Sequence, residues 1–237
     1  MNISMFRISV KEVEKVLKVF SLLKMKGIKS VNENGVSQRF KDVSTKEDYK
    51  IVYEEGLKNY DFDFLLDDQS YFQFEFCNEL GNRNLRYAYY QNPNNYVKYA
   101  DYVKDQLVML DFDCDPIDVG SMFEEEYSQF LNEQEANLNY FTSRYDFDFR
   151  GYKPLIHPVS HLHIGHLNNI RIPLDKEISP LRFTLFIIRH VYRENWIKMI
   201  ESDINYVKDL FLSCKNGESL LEEDIFIPLE KEELFLT

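Results

Sequence analysis

Residues 61–91 read DFDFLLDDQSYFQFEFCNELGNRNLRYAYYQ, and the fold follows from how they alternate. Phe62 and Phe64 alternate with Asp61 and Asp63, and Phe72, Phe74 and Phe76 alternate with Tyr71, Gln73 and Glu75. Successive side chains of a strand point to opposite faces, so a period of two marks a strand with one face on a core. Asp67-Asp68-Gln69 supplies turn chemistry after the first run. The segment from Asn78 to Arg83, containing Gly81, separates the second run from Leu85-Arg86-Tyr87-Ala88-Tyr89-Tyr90. The expectation is a three-strand antiparallel meander. Its acidic side chains fall on the wet face, where they are solvated and protect the edges.

Upstream, residues 10–25 place Val10, Val13, Leu17 and Phe20 on one helical face, widened by Val16 and Leu23, with Gly27 as a stop. This is an amphipathic helix for the core. A polar turn at Asn32–Gly35 follows. Thr45-Lys46-Glu47-Asp48 has capping-box spacing, which predicts a short helix from about Lys46 to Leu57.

Downstream, Gln91-Asn92-Pro93-Asn94-Asn95 reads as a loop, and residues 102–113 fit helix or strand. Asp115-Pro116 and Ser121-Met122-Phe123-Glu124 both fit helix starts, and a helix is expected near 121–136. Its first turn carries Glu124-Glu125-Glu126, where the helix dipole favours negative charge. Residues 138–149 read as a strand, with Tyr145, Phe147 and Phe149 on one side and Arg144, Asp146 and Asp148 on the other. Ser179 before Pro180 is an N-cap followed by a first-turn proline. The helix they open is apolar nearly all round, from Leu181 to Tyr192, and a further apolar pattern runs from Ile204 to Phe211. The acidic tail could dock Ile225-Phe226-Ile227 as a strand or stay free to bind a partner.

These elements describe an α+β fold: an antiparallel β-sheet packed against a long C-terminal helix and an N-terminal amphipathic helix. A single domain over residues 1–237 is expected. Residues 1–60 form its N-terminal helical part, 61–200 the sheet with the histidine-rich loop and long helix, and 201–237 a helix and acidic tail.

Composition narrows the function classes. Hydrophobic content of 44% with 29% charged residues argues against general disorder. Eight glycines and no GxGxxG or Walker-type run argue against a glycine-rich phosphate loop. No apolar run reaches the roughly 18 residues a membrane span needs, and the first residues lack a signal-peptide core. Cys77, Cys114 and Cys214 are odd in number and widely spaced, which implies free thiols in a reducing cytoplasm. Net charge is −12, but residues 61–140 carry 4 basic against 17 acidic side chains while residues 141–200 carry 9 against 5. The second segment is thus a basic island. Broad duplex-DNA binding needs many phosphate contacts over a wide positive face, which this charge pattern does not offer. A site for one phosphate or a few nucleotides fits it, as does an acidic face docking on a basic partner protein.

All five histidines fall between His157 and His190. Three readings follow. His161-x-His163-x-x-His166 resembles the metallo-β-lactamase metal run, but Gly165 stands where that run has an Asp and Asn168-Asn169 where it has glycines. Metal-free phosphodiester or acyl chemistry is the second reading. His161 and His163 would share a face of an extended segment, Arg171 and Arg144 would stabilise an anion, and Asp146 would orient an imidazole. The third is structural, with His157 and His161 buried and hydrogen-bonded to hold a loop.

Several motifs occur together and in order: Leu85-Arg86-Tyr87-Ala88-Tyr89-Tyr90 with Pro93, Arg144-Tyr145-Asp146, His157-Pro158, Ser160-His161-Leu162, Gly165, Arg171-Ile172-Pro173 and Ser179-Pro180. They continue with Phe183, Phe186-Ile187 and Tyr192. Over residues 60–200 the chain resembles an uncharacterised bacterial family, domain of unknown function 2290. The resemblance implies a setting near phage-defence genes, as an antiviral or toxin-like component with a partner protein encoded nearby. It also implies that the positions of His163 and His166 need not be histidine. That moves the expected site to His157, His161 and Asp146 as catalytic groups, with Arg171 and Arg144 binding substrate. The expectation is a metal-independent nuclease or nucleotide-acting enzyme without cofactor, its substrate RNA or a nucleotide. A non-catalytic subunit that engages a partner through its aromatic sheet or acidic tail is the alternative, and a metal-dependent hydrolase a second one.

Overall fold

A computed structural model describes residues 1–28, 35–79, 82–93, 99–112, 115, 118–137, 140–167 and 170–233. The expected features at Asn32, Gly81, Asn94-Asn95, Cys114, Pro116 and Asn168-Asn169 lie outside the described residues.

Helix α1 spans Ile3–Val19, where the Asn2 side chain accepts a hydrogen bond from the Met5 amide. Phe6, Val10, Val13, Val16 and Leu17 form its buried face, with Phe20 buried just beyond its end. The expected continuation to residue 25 does not occur. Ser21 turns into the left-handed region at φ 54°, and Leu23–Lys26 becomes strand β1. Pairing with a neighbouring strand satisfies a backbone that helix propensity alone would have kept helical. A second correction concerns the capping box. Helix α2, Gln38–Ser44, starts at Ser37, whose hydroxyl accepts from the Phe40 amide, and Thr45 closes it. Helix α3, Tyr49–Lys58, begins after Asp48.

The meander forms as its alternation requires: β2 Phe64–Leu66, β3 Tyr71–Glu79 and β4 Asn82–Tyr90. Helices α4, Tyr99–Met109, and α5, Glu124–Asn137, follow. The chain then returns as β5 Thr142–Asp148, β6 Ser160–Ile164, β7 Arg171–Pro173 and β8 Lys176–Glu177. Much of the expected histidine loop is therefore strand β6. Helix α6, Pro180–Val191, opens where Ser179-Pro180 places it, and the Ser179 hydroxyl accepts from the Arg182 amide. Tyr192, at φ −102° and ψ 53°, breaks it from α7, Arg193–Gly217, which itself bends at Asp203. Strand β9, Ser219–Leu220, pairs with β8, and α8, Pro228–Glu233, ends the described chain.

The tail docks as a helix, not as a strand at Ile225–Ile227. The Glu230 carboxylate is 1% exposed and accepts from the Tyr152 hydroxyl and the Leu155 and Ile227 amides at 3.0–3.1 Å. Those three donors reward a helical turn that brings Glu230 back over its own N-terminus.

Strands β1 to β7 form one antiparallel sheet in sequence order. On its first face Phe72, Phe74, Leu85, Tyr87, Tyr89, Tyr145 and Phe147 are all buried with α1 and α6 in one apolar cluster. Rings of Phe6 and Phe183 pack against Tyr87, and Phe183 also meets Phe72 edge-on. On the second face, α2 and α3 cover one end, where Tyr71 packs against Tyr53 and Tyr90 packs against Phe40 and Tyr49. The sheet aromatics among the described residues are thus mostly core on both sides. The rest of the second face carries polar and charged residues.

Chain contacts group residues 1–91 with 141–237 as one compact unit and 92–140 as another. In the smaller unit, Tyr102, Val103 and Leu107 of α4 pack with Phe123, Tyr127 and Phe130. Among the described residues no helix is long and apolar enough to cross a membrane.

Gly27 fixes the join between β1 and the meander. Its amide donates to the Asp63 carbonyl at 2.8 Å, and a Cβ there would lie 1.9 Å from the Phe62 carbonyl oxygen. Because the obstacle is backbone, no rotamer change relieves it. Gly27→Ala should destabilise the protein by about 2 kcal/mol or more, read as a lowered denaturant midpoint. An unchanged midpoint would contradict the close approach.

Candidate functional site

The polar part of the second face is built by strand register. Opposed residues of antiparallel strands point to the same face. β4, β5, β6 and β7 align Arg86 with Asp146, Asp146 with His161, and His161 with Pro173. The neighbouring row aligns Ala88, Arg144, His163 and Arg171. Four of the five residues expected from sequence therefore share this face: Asp146, His161, Arg144 and Arg171. His163, which the family resemblance moves out of the expected site, and Arg86, read from sequence only as part of a strand, belong with them. The signal for His163 was present in the two-residue spacing of His161 and His163, opposite the same spacing of Arg144 and Asp146.

His161 is the innermost group, 1% exposed. Its Nδ1 lies 2.8 Å from the Pro158 carbonyl oxygen, which only a ring N–H can satisfy. Its Nε2 is then a lone pair, and it faces His163 Nε2 at 3.0 Å. His163 Nε2 also lies 3.1 Å from Asp146 Oδ2. The Arg144 Nε–H donates to the same carboxylate oxygen at 2.8 Å, and Arg86 Nε stands 3.9 Å from Oδ1. The His161 ring does not open to solvent. The least buried member of the cluster is Asp146, whose side chain is 21% exposed and whose partners Arg86 and Arg144 are more exposed still.

Charge states follow from these partners. Burial pushes the Asp146 carboxyl up, but the His163 hydrogen bond and the guanidinium groups of Arg144 and Arg86 outweigh it and hold the group well below the usual carboxylate range. Burial pushes His161 down to about 4, against the pull of Asp146. A neutral imidazole beside a permanent carboxylate is the resting state near neutrality.

His157 stands behind this group, its ring edge-on to His161 with centroids 4.9 Å apart. Gly151 makes room for it, since a Cβ there would lie 2.8 Å from His157 Cε1. His157 Nδ1 and Arg171 Nε are buried atoms without a hydrogen-bond partner among the described residues. His166 leaves the cluster: its Nε2–H donates to the Glu47 carbonyl and its ring packs against Tyr49. The His161-x-His163-x-x-His166 spacing therefore does not close into one site. His190 packs on Phe186 along α6. Beside Arg86 a hollow of about 20 Å³, lined by Lys41, Ser44, Gln73 and Glu75, has room for about one water.

The sequence profile of a family described as "Uncharacterized conserved protein (DUF2290)" matches residues 14–226. No curated protein and no solved structure matches the chain.

The depressed His161 pKa sets a pH window. The unfolded histidine, at about 6.5, takes up its proton before the folded one does. Stability is therefore full above pH 6.5 and is lost as pH falls through about 4, by about 3 kcal/mol in total. Asp146 adds a further loss below its unfolded value near 4. In EDTA, the denaturant midpoint of the wild type should fall between pH 6.5 and 4, and His161→Gln should flatten that part of the profile. Parallel profiles for the two proteins would contradict the assignment.

Proposed function

The chain belongs to the DUF2290 family, and from that premise we propose that it is an enzyme acting on a phosphate ester of RNA or a nucleotide. One observation carries this reading: an imidazole–carboxylate pair, His163 with Asp146, shares a sheet face with Arg86, Arg144 and Arg171. Planar guanidinium groups match phosphate oxygens in geometry and charge, and they keep their charge at every physiological pH. In the proposed roles Arg86, Arg144 and Arg171 receive the phosphate. Arg171 brings a buried Nε–H that has no acceptor among the described residues. Asp146, less buried than His161 or His163, stands where a proton or a nucleophilic water would be handled, with His163 hydrogen-bonded to it from the buried side. His161 positions His163 from behind, and His157 backs His161. This assignment revises the acid–base pair read from sequence, because both His161 ring nitrogens are already engaged. Three guanidinium groups on a chain of net charge −12 suit one phosphate or a few nucleotides better than a duplex.

A second reading is a non-catalytic subunit for a basic partner protein. It is favoured by residues 92–140, which carry 11 acidic and 2 basic side chains. At the end of α4 this unit exposes Val108, Met109, Leu110 and Phe112.

The two readings separate in one set of assays. On a panel of RNA oligonucleotides and nucleoside triphosphates, the wild type should turn over at least one substrate. Asp146→Asn and His163→Gln should lower kcat/KM by about 100-fold or more, assayed at a temperature where circular dichroism shows each variant folded, and His190→Gln should be neutral. Plating of phage on expressing cells tests the defence setting. No turnover, together with a stoichiometric partner recovered from the native host, would overturn the enzymatic reading.

A further inference from the structure

We infer that Asp146, His161 and His163 form a binding site for a divalent first-row transition cation such as Zn²⁺. The inference deepens the phosphate-ester reading of the same face, but its geometry stands without it. Each of the three residues offers one ligand atom, and the three atoms lie within 4.8 Å of one another. Two of the separations are 3.0 Å, His161 Nε2 to His163 Nε2, and 3.1 Å, His163 Nε2 to Asp146 Oδ2. Ligands bound about 2.0–2.1 Å from one ion stand roughly 3 Å apart, so two of the three pairs already have the spacing of atoms that share an ion, and a small approach of His161 and Asp146 completes the set.

Proton accounting separates this arrangement from an ordinary hydrogen-bond chain. His161 spends its ring proton on the Pro158 carbonyl, so its Nε2 is an electron-pair donor. Asp146 is an acceptor only. His163 Nε2 sits between these two acceptors and has at most one proton to share. Two or three lone pairs thus converge where one proton at most is present, and a cation resolves that surplus better than a shared proton does.

The surroundings also match what a metal ligand needs. An imidazole that binds a metal through one nitrogen commonly donates the other N–H to a backbone carbonyl, which fixes its tautomer and ring orientation. The Pro158 carbonyl does this for His161. Arg144 holds Asp146 Oδ2 from outside the cluster at 2.8 Å, leaving the carboxylate another lone pair for the ion. Two imidazole nitrogens and one carboxylate oxygen suit zinc and its neighbours rather than calcium or magnesium, which take oxygen ligands. Three protein ligands leave at least one position for water or a phosphate oxygen. The partly exposed Asp146 edge is the way in.

The test uses the full chain, stripped with EDTA and titrated with Zn²⁺ against a chromophoric chelator, and with Co²⁺ followed by its visible absorption. One ion per chain is expected. His161→Gln, His163→Gln and Asp146→Asn should each weaken Zn²⁺ binding by about 100-fold or more, while His166→Gln should leave it unchanged. Equal affinity for the wild type and the folded ligand variants would overturn the inference. Should a variant fail to fold, zinc-edge absorption spectroscopy of the loaded wild type decides: zinc bound by two imidazoles supports the site, and zinc bound by oxygen alone overturns it. Turnover that persists undiminished in EDTA sinks the metal site and spares the proposed function. Tight one-to-one binding without any turnover does the reverse.

Discussion

The pairing of β5 with β6 decides what this protein can do. Asp146 stands opposite His161 and Arg144 opposite His163, so an acid, two imidazoles and a guanidinium that are 15 to 19 residues apart in sequence meet on one face. A slip of one residue in this pair would turn His161 and His163 to the opposite face, toward α1 and α6, where unpaired imidazoles would replace Leu162 in an apolar cluster. The register is held from behind. The Tyr145 hydroxyl shares a hydrogen bond with Ser160 Oγ and accepts one from the Ile178 amide, which ties β5, β6 and the entry to α6 together on the core side. The aromatic core and the polar cluster are two faces of one set of strands.

The division of the second face follows from length. Helices α2 and α3 are short, 7 and 10 residues, and their apolar side chains cover only the end of the sheet that carries Tyr71 and Tyr90. Beyond them the strands carry Arg86, Arg144, Asp146, His161, His163 and Arg171 on this face. A carboxylate in such a place is stabilised only if cations surround it, and Arg144 and Arg86 do so for Asp146. The neighbouring imidazole stays neutral for the converse reason, since burial disfavours its charged form. Both groups are displaced downward, Asp146 by the cations around it and His161 by burial, and perturbed titration on adjacent residues gathers at sites for proton handling or metal ligation.

Much of this architecture was legible in the sequence, for identifiable reasons. Ser179-Pro180 names the start of α6 because a hydroxyl cap and a proline without an amide each fit only a helix beginning. The phenylalanine alternation of β3 and the split between Tyr145, Phe147 and Arg144, Asp146 in β5 survive because period-two burial leaves no other regular structure. What failed was decided at a distance. β1 lies in a stretch with helical spacing and becomes a strand because β2 offers it partners. Thr45 has the right neighbours for a capping box, yet α2, opened by Ser37, already occupies that place. The resemblance does not require histidine at position 163, and residue type alone cannot say which side chains face it across the sheet. Arg144 and Asp146 do.

The central claim is that this register fixes His161 as a neutral imidazole with its proton on Nδ1 and a lone pair on Nε2 pointing at His163. Long-range ¹H–¹⁵N correlation spectra of the histidine rings, recorded near pH 7 in chelator, report protonation at each nitrogen directly. The account requires a His161 ring with an amine-like Nδ1 and a pyridine-like Nε2. An Nε2–H tautomer, an imidazolium, or the averaged shifts of a free solvent-exposed histidine would contradict it.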